Sequence, residues 1–248
     1  MLAVEDILGL ERRALEAWPA LRTTAFGGWE FRFSGGYTKR ANSANTLSPT
    51  LPFGEVRQAA EALYLEHGLP PIFRISPLVG ADADAQLDGA GYRLIEPSLV
   101  MTAAVDGVGE CRAEDLAVAA SPEWLDGYTR ASGLAADAGE KHAAILRRID
   151  QPTAFVTLRS KGEALGFGLA VYEEGLVGLF DIVIAPDMRG RGHGRALTDV
   201  PMSWGRRMGA RTAYLQVHRA NSAALGVYGS LGFKEAYGYH YRVPGGAI

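Results

Sequence analysis

A single cysteine, Cys111, among 248 residues excludes an intramolecular disulfide and a cysteine-built zinc site. Histidine is nearly as scarce. His67, His142, His193, His218 and His240 never fall at metal-ligand spacing, so the sequence predicts a metal-free protein. No apolar run approaches the roughly 20 residues that a membrane-spanning helix needs. Near the N-terminus, Glu5, Asp6, Glu11, Arg12 and Arg13 interrupt any signal-peptide core, so a cytoplasmic protein with no membrane partner is expected. Neither sign of charge dominates: 25 Lys and Arg against 28 Asp and Glu leave a net charge of −3, which gives no electrostatic footprint for nucleic acid. Any anion site must be local.

What is abundant is apolar material, at 48% of residues, enough for one large core or two ordinary ones. Apolar spacing predicts helices over 2–18 and 56–67, a short one over 83–89, and helices over 122–131 and 139–149. Alternation or continuous apolar runs predict strands over 28–33, 72–76, 99–104, 153–158, 164–172 and 176–185, with Glu173, Glu174 and Gly175 turning the last pair. The pattern is mixed α/β. Asp106, Gly107 and Gly109 make a flexible seam, which sets an expected domain boundary, 1–107 and 108–248. A repeat runs across that seam. His67-Gly68, a strand, and then Gly91-Tyr92 match Met208-Gly209, a strand, and then Gly232-Phe233, with one offset of 141 residues (209 minus 68, 232 minus 91).

Chemistry concentrates in one segment. Residues 178–186 form a near-continuous apolar strand that feeds Arg189-Gly190-Arg191-Gly192-His193-Gly194-Arg195, and a helix begins by Ala196. A helix start presents unpaired N–H groups and about half a positive charge, and glycines let a phosphate approach the backbone. The spacing then discriminates between anion cradles. A dinucleotide fingerprint needs a third glycine where Arg195 stands, and a nucleotide P-loop needs a lysine that is absent.

The segment instead resembles motif A of the GNAT (GCN5-related) N-acetyltransferases, R/Q-x-x-G-x-G/A after a strand, with Arg189, Gly192 and Gly194 at the defining positions. The likeness continues through the strand over 211–217 and through Asn221 to Tyr228 with Leu231-Gly232-Phe233, similar to the family's motif B. The resemblance implies a mixed, mostly antiparallel sheet flanked by helices, and acetyl-CoA as cosubstrate. It places the coenzyme pyrophosphate on the N–H groups from Arg189 to Arg195. Ile182, Val183 and Ile184 would offer main-chain hydrogen bonds to the pantetheine at a strand edge left free. It makes Tyr228 the proton donor to the departing thiolate, and sets Asn221 as a helix cap touching the coenzyme.

Two departures qualify the match. Many members carry a glutamate where Gly178 stands, so the usual base is missing; Asp181 is the nearest strand carboxylate, expected to take the amine proton or order a water, with a structural role as the alternative. Pro201 lies inside the helix after the loop and predicts a kink beyond the phosphate-binding end. Applying the offset maps the loop onto residues 48–53 and Tyr228 onto Leu87, so the first half reads as a degenerate copy without coenzyme machinery. One acetyl-CoA per chain follows.

Gly27 to Phe31 and Gly35 to Ser43, with Tyr237, Tyr239, His240 and Tyr241, are candidates to line an acceptor pocket or simply to build sheet. The expected activity is transfer of acetyl to a primary amine, on a small molecule or peptide, by direct attack in a ternary complex. A monomer or homodimer is expected. The competing class is a non-catalytic acyl-CoA sensor or interaction module.

Overall fold

The computed structural model describes residues 2–110 and 116–246; Cys111 lies outside the described residues. The chain forms two compact units that do not follow a single cut of the sequence. The first comprises Met1–Leu99, His218–Ala220 and Tyr237–Ile248, and the second Val100–Val217 and Asn221–Ala236.

In the first unit, α1 (Val4–Glu16) buries Ile7, Leu10, Glu11, Ala14 and Leu15 on one face, the i, i+3, i+4, i+7 spacing read from the sequence. Pro19 lies just beyond its end. Next come β1 (Arg22–Phe26), β2 (Trp29–Phe33) and β3 (Ala44–Thr46). β1 escapes sequence reading because all five of its residues are exposed, leaving no apolar alternation. A two-residue turn makes it a hairpin: Gly27 and Gly28 have φ of 59° and 78°, the doubly left-handed turn whose twist matches antiparallel strands. α2 (Phe53–Glu66) then crosses to β4 (Phe73–Ile75), parallel to β3, and α3 (Ala81–Gly89) leads into β5 (Tyr92–Ala104). The core packs Trp29, Phe31, Phe53, Tyr64, Phe73 and Leu87.

The second unit repeats that order. β6 (Leu116–Ala117), α4 (Pro122–Ser132) and α5 (Ala136–Leu146) precede a meander of β7 (Thr153–Ser160), β8 (Glu163–Glu173) and β9 (Leu176–Ile184). α6 (His193–Arg207) crosses to β10 (Thr212–His218), parallel to β9, and α7 (Ser222–Ser230) leads into β11 (Lys234–Pro244). Each unit is thus a mixed, mostly antiparallel sheet with helices, the expected α/β class. Strand order is β1-β2-β3-β4-β11-β5 in the first and β10-β9-β8-β7-β6 in the second, the division of the chain falling within β5, after Leu99, and within β11, before Tyr237.

The glycines that betrayed the repeat do the same job in each copy. Gly68 and Gly209 follow α2 and α6 with φ of 65° and 97°, and Gly91 and Gly232 follow α3 and α7 with φ of 81° and 84°. A helix stop needs a left-handed residue there, which glycine adopts without a Cβ penalty. α6 is one helix through Pro201, which has no N–H to give to the carbonyl of Leu197. Proline is buried there, and the helix packs on β8 and β9 along its length, so tertiary contacts carry it across.

The aromatic and polar stretches singled out in the first half and at the C-terminus have structural work in the first unit. Asn42 stitches its loop, accepting from the N–H of Ser34 at 2.7 Å and Gly36 at 2.9 Å and donating to the carbonyls of Tyr37 and Thr38. Tyr237 donates to buried Glu11 at 2.6 Å, Arg74 lies 3.5 Å from the centre of the Tyr239 ring, and Tyr241 is buried beside them. Glu11 and Arg74 form a buried bidentate ion pair at 2.6 and 3.0 Å.

Candidate active site

β9 runs antiparallel to β8 as far as Ile184, but its parallel pairing with β10 covers only Leu176–Leu179 against Thr212–Leu215. Among the described residues no register pair joins the two strands further on, so the β10-facing edge of Phe180–Ile184 is open. Beyond it, Pro186–Met188 makes one 3-10 turn and Gly192, at φ 83°, caps α6. Space does not require glycine at 190 or 192, since a Cβ at either would meet nothing within 4 Å; their left-handed φ does.

These elements enclose a cleft of about 390 Å³. Ile182 and Ile184 line it from β9, Met188, Arg189, Gly190 and Gly192 from the loop, His193, Gly194 and Thr198 from α6, and Ala223, Ala224, Val227 and Tyr228 from α7. Of the expected site residues, Val183 pairs with Phe167 and does not line the cleft, and Asn221 caps α7 by accepting from the N–H of Ala224 at 3.1 Å. Met188, Thr198, Ala223, Ala224 and Val227 were not read from the sequence. Met188 belongs to the turn before the loop, Thr198 to α6, and Ala223, Ala224 and Val227 to the motif B-like segment on α7.

The arginines divide. Arg189 donates to the carbonyls of Ile184 at 3.1 Å and Ala131 at 3.3 Å, tying the loop to the ends of β9 and α4. Arg195 donates to the carbonyl and hydroxyl of Ser230 at 2.8 and 3.1 Å, fastening α6 to α7. Both hold the cradle's shape. Arg191, by contrast, is an exposed residue of the loop.

Tyr228 is 9% exposed, and burial pushes its phenol up to about 12, so it is protonated at neutral pH and able to give a proton. Gly178 is filled from both sides: a Cβ there would lie 2.6 Å from the hydroxyl of Tyr214 and from the ring of Phe180. No side chain fits without displacing an aromatic. Asp181 has φ 52°, and its carboxylate accepts from Tyr128 at 3.0 Å and pairs with His142 at 2.8 Å. Neither partner was legible, because Tyr128 and His142 lie 53 and 39 residues away in the chain.

Comparison with known proteins agrees with this geometry. Residues 4–242 match the family described as "Probable histone acetyltransferase Rv0428c C-terminal". The chain is 30% identical over 246 residues to the "Uncharacterized N-acetyltransferase YobR" of Bacillus subtilis, covering 97% of this chain and 99% of that one. Two solved structures share the fold. A GCN5-related N-acetyltransferase from Kribbella flavida superposes with a TM-score of 0.71 at 17% identity, covering 99% of this chain and 97% of that one. A tandem GNAT protein from the clavulanic acid biosynthesis pathway does so with a TM-score of 0.62 at 13% identity, covering 94% and 86%. The chain therefore belongs to the matched family within the GCN5-related N-acetyltransferases and is an acetyltransferase.

Proposed function

We propose that this protein transfers acetyl from acetyl-CoA to a primary amine by direct attack within a ternary complex, using the cleft of the second unit. One observation carries the reading: the open strand edge (Ile182, Ile184), the glycine-rich helix start (Arg189, Gly190, Gly192, His193, Gly194) and a protonated tyrosine (Tyr228) line one cleft. The free edge offers main-chain groups to an extended pantetheine as a missing strand would. The helix start offers N–H groups and its dipole to the pyrophosphate. Asn221, at the start of α7, caps the helix and reaches the coenzyme.

The acceptor arrives as an ammonium and loses one proton on the acceptor side, to Asp181 or a water that it orders. The freed lone pair forms the C–N bond, the C–S bond breaks, and the electron pair departs on sulfur. Tyr228 gives its proton to that thiolate, and the second nitrogen proton restores the phenol. The first 107 residues act as a degenerate copy that holds no coenzyme, so one acetyl-CoA binds per chain, in residues 108–248.

Thiol release from acetyl-CoA, followed spectroscopically with a panel of small amines, amino acids and peptide N-termini, tests this. Turnover with at least one amine is expected, and Tyr228→Phe is expected to lower kcat by about 10² to 10⁴, the range of a lost general acid, with KM for acetyl-CoA little changed. The filled site at Gly178 favours a second reading, an acyl-CoA sensor. That reading predicts a rise in melting temperature with acetyl-CoA and no thiol release with any amine.

A further inference from the structure

The carboxylate of Asp181 is held in a way that the strand alone does not require. Leu169 pairs with Phe180 and Phe167 with Val183, so Asp181 and Ile182 together oppose Gly168 in a β-bulge, and Asp181 takes the left-handed conformation. In a regular strand, Asp181 would face away from Gly178. The extra residue turns it to the same face. That face is the one under α4: Phe180 pairs with Leu169, two residues from Phe167, whose ring lies against Gly127.

Two donors meet the carboxylate there. Tyr128 of α4 donates its hydroxyl to one oxygen at 3.0 Å, and Nε2 of His142 of α5 lies 2.8 Å from the other. The donors are themselves locked. Tyr128 stacks on Trp124 at 5.3 Å and meets the edge of His142 at 4.5 Å, and the His142 side chain is only 1% exposed. The whole assembly stands two residues beyond Leu179, where β9 and β10 part. A left-handed aspartate inside a strand is strained, and strain of this kind persists only where surrounding contacts over-determine it.

We infer that Tyr128 and His142 are positioning residues for acetyl transfer, which hold the Asp181 carboxylate on the α4 and α5 face so that it meets the incoming ammonium and receives its proton. Asp181 is the group that touches the substrate; Tyr128 and His142 act through it. In the step, the ammonium N–H bond breaks, the proton bonds to a carboxylate oxygen, and the neutral amine keeps the lone pair that attacks the acyl carbon. The proton leaves to solvent after turnover. The inference rests on the transfer reading above.

The test is steady-state kinetics of Tyr128→Phe, His142→Leu and His142→Gln, alongside calorimetric affinity for acetyl-CoA. The expected result is a split. kcat falls by about tenfold or more in Tyr128→Phe and His142→Leu, the scale of a misplaced proton acceptor. The affinity for acetyl-CoA stays within about twofold, because neither residue lines the cleft. His142→Gln restores most of kcat, since its amide presents a donor near the same place. A purely structural role would lower melting temperature without this split and without rescue by glutamine, and that result overturns the inference. Wild-type kcat in Tyr128→Phe, which removes only a hydroxyl, also overturns it, even if His142→Leu does not fold. Wild-type protein that binds acetyl-CoA but acetylates no amine overturns the transfer reading and this inference with it, whereas activity surviving in the variants overturns the inference alone.

Discussion

At the scale of single residues, the site is governed by which side chains have room and which are desolvated. Gly178 shows the first. Its missing Cβ is occupied by the hydroxyl of Tyr214 and the ring of Phe180 at 2.6 Å, so a carboxylate at this position has no place to stand. Gly178→Ala is expected to destabilise the protein by about 1–3 kcal/mol through overpacking, measured by thermal or urea melts. Tyr228 shows the second. Burial disfavours the phenolate and raises the phenol from 10.0 to about 12, so raising pH through 10 leaves the phenol protonated. A pH profile of kcat is therefore expected to show no alkaline fall from Tyr228 below about pH 11, where an unperturbed tyrosine would give one near 10. An alkaline limb near 10 that disappears in Tyr228→Phe would contradict the upward shift and leave Tyr228 the titrating group, whereas a limb that persists in Tyr228→Phe belongs to another residue. Sequence identified Tyr228 and Asp181 by motif and strand position, but the pairing of Asp181 with Tyr128 and His142 depends on α4 and α5 folding over β9. That is a tertiary contact without a local signal.

At the scale of elements, periodicity located the long helices and the central strands, because each buries one face. α1, α2, α4, α5 and β7 to β9 fall within a few residues of where spacing puts them, and β10 within a few of where the family resemblance puts it. The missed elements lack that physical cause. β1 is exposed along its whole length, while β3 and β6 have three and two residues and cannot display a period. β5 begins at Tyr92, earlier than its apolar run, because exposed Arg93 and Leu94 interrupt the alternation. The glycine-rich loop was legible because backbone conformation demands glycine there. Gly192 caps α6 at φ 83°, and forcing a side chain into the left-handed region costs roughly 1–2 kcal/mol. Gly192→Ala is expected to weaken acetyl-CoA binding by about tenfold, since about 1.4 kcal/mol of strain relieved by loop displacement withdraws the N–H cradle. Isothermal titration would register this as a higher Kd with little change in the unfolding transition of the remaining sheet.

At the scale of the whole molecule, two units share one order of elements, a three-strand antiparallel run, a helix crossing to a parallel strand, a short helix and a last strand. The residues that distinguish them are those of the loop and of α7. Where the second unit has Arg189-Gly190-Arg191-Gly192-His193-Gly194, the offset places Ser48-Pro49-Thr50-Leu51-Pro52-Phe53 in the first, and Leu87 takes the place of Tyr228. Leu87 is fully buried in the apolar core of the first unit. The repeat was legible because paired helix-ending glycines survive divergence. The central claim is that a chain with two related folds keeps one coenzyme site, and a calorimetric titration with acetyl-CoA counts it directly. The account predicts one site per chain, weakened by Gly192→Ala. A stoichiometry near two, or one site indifferent to Gly192, would contradict it.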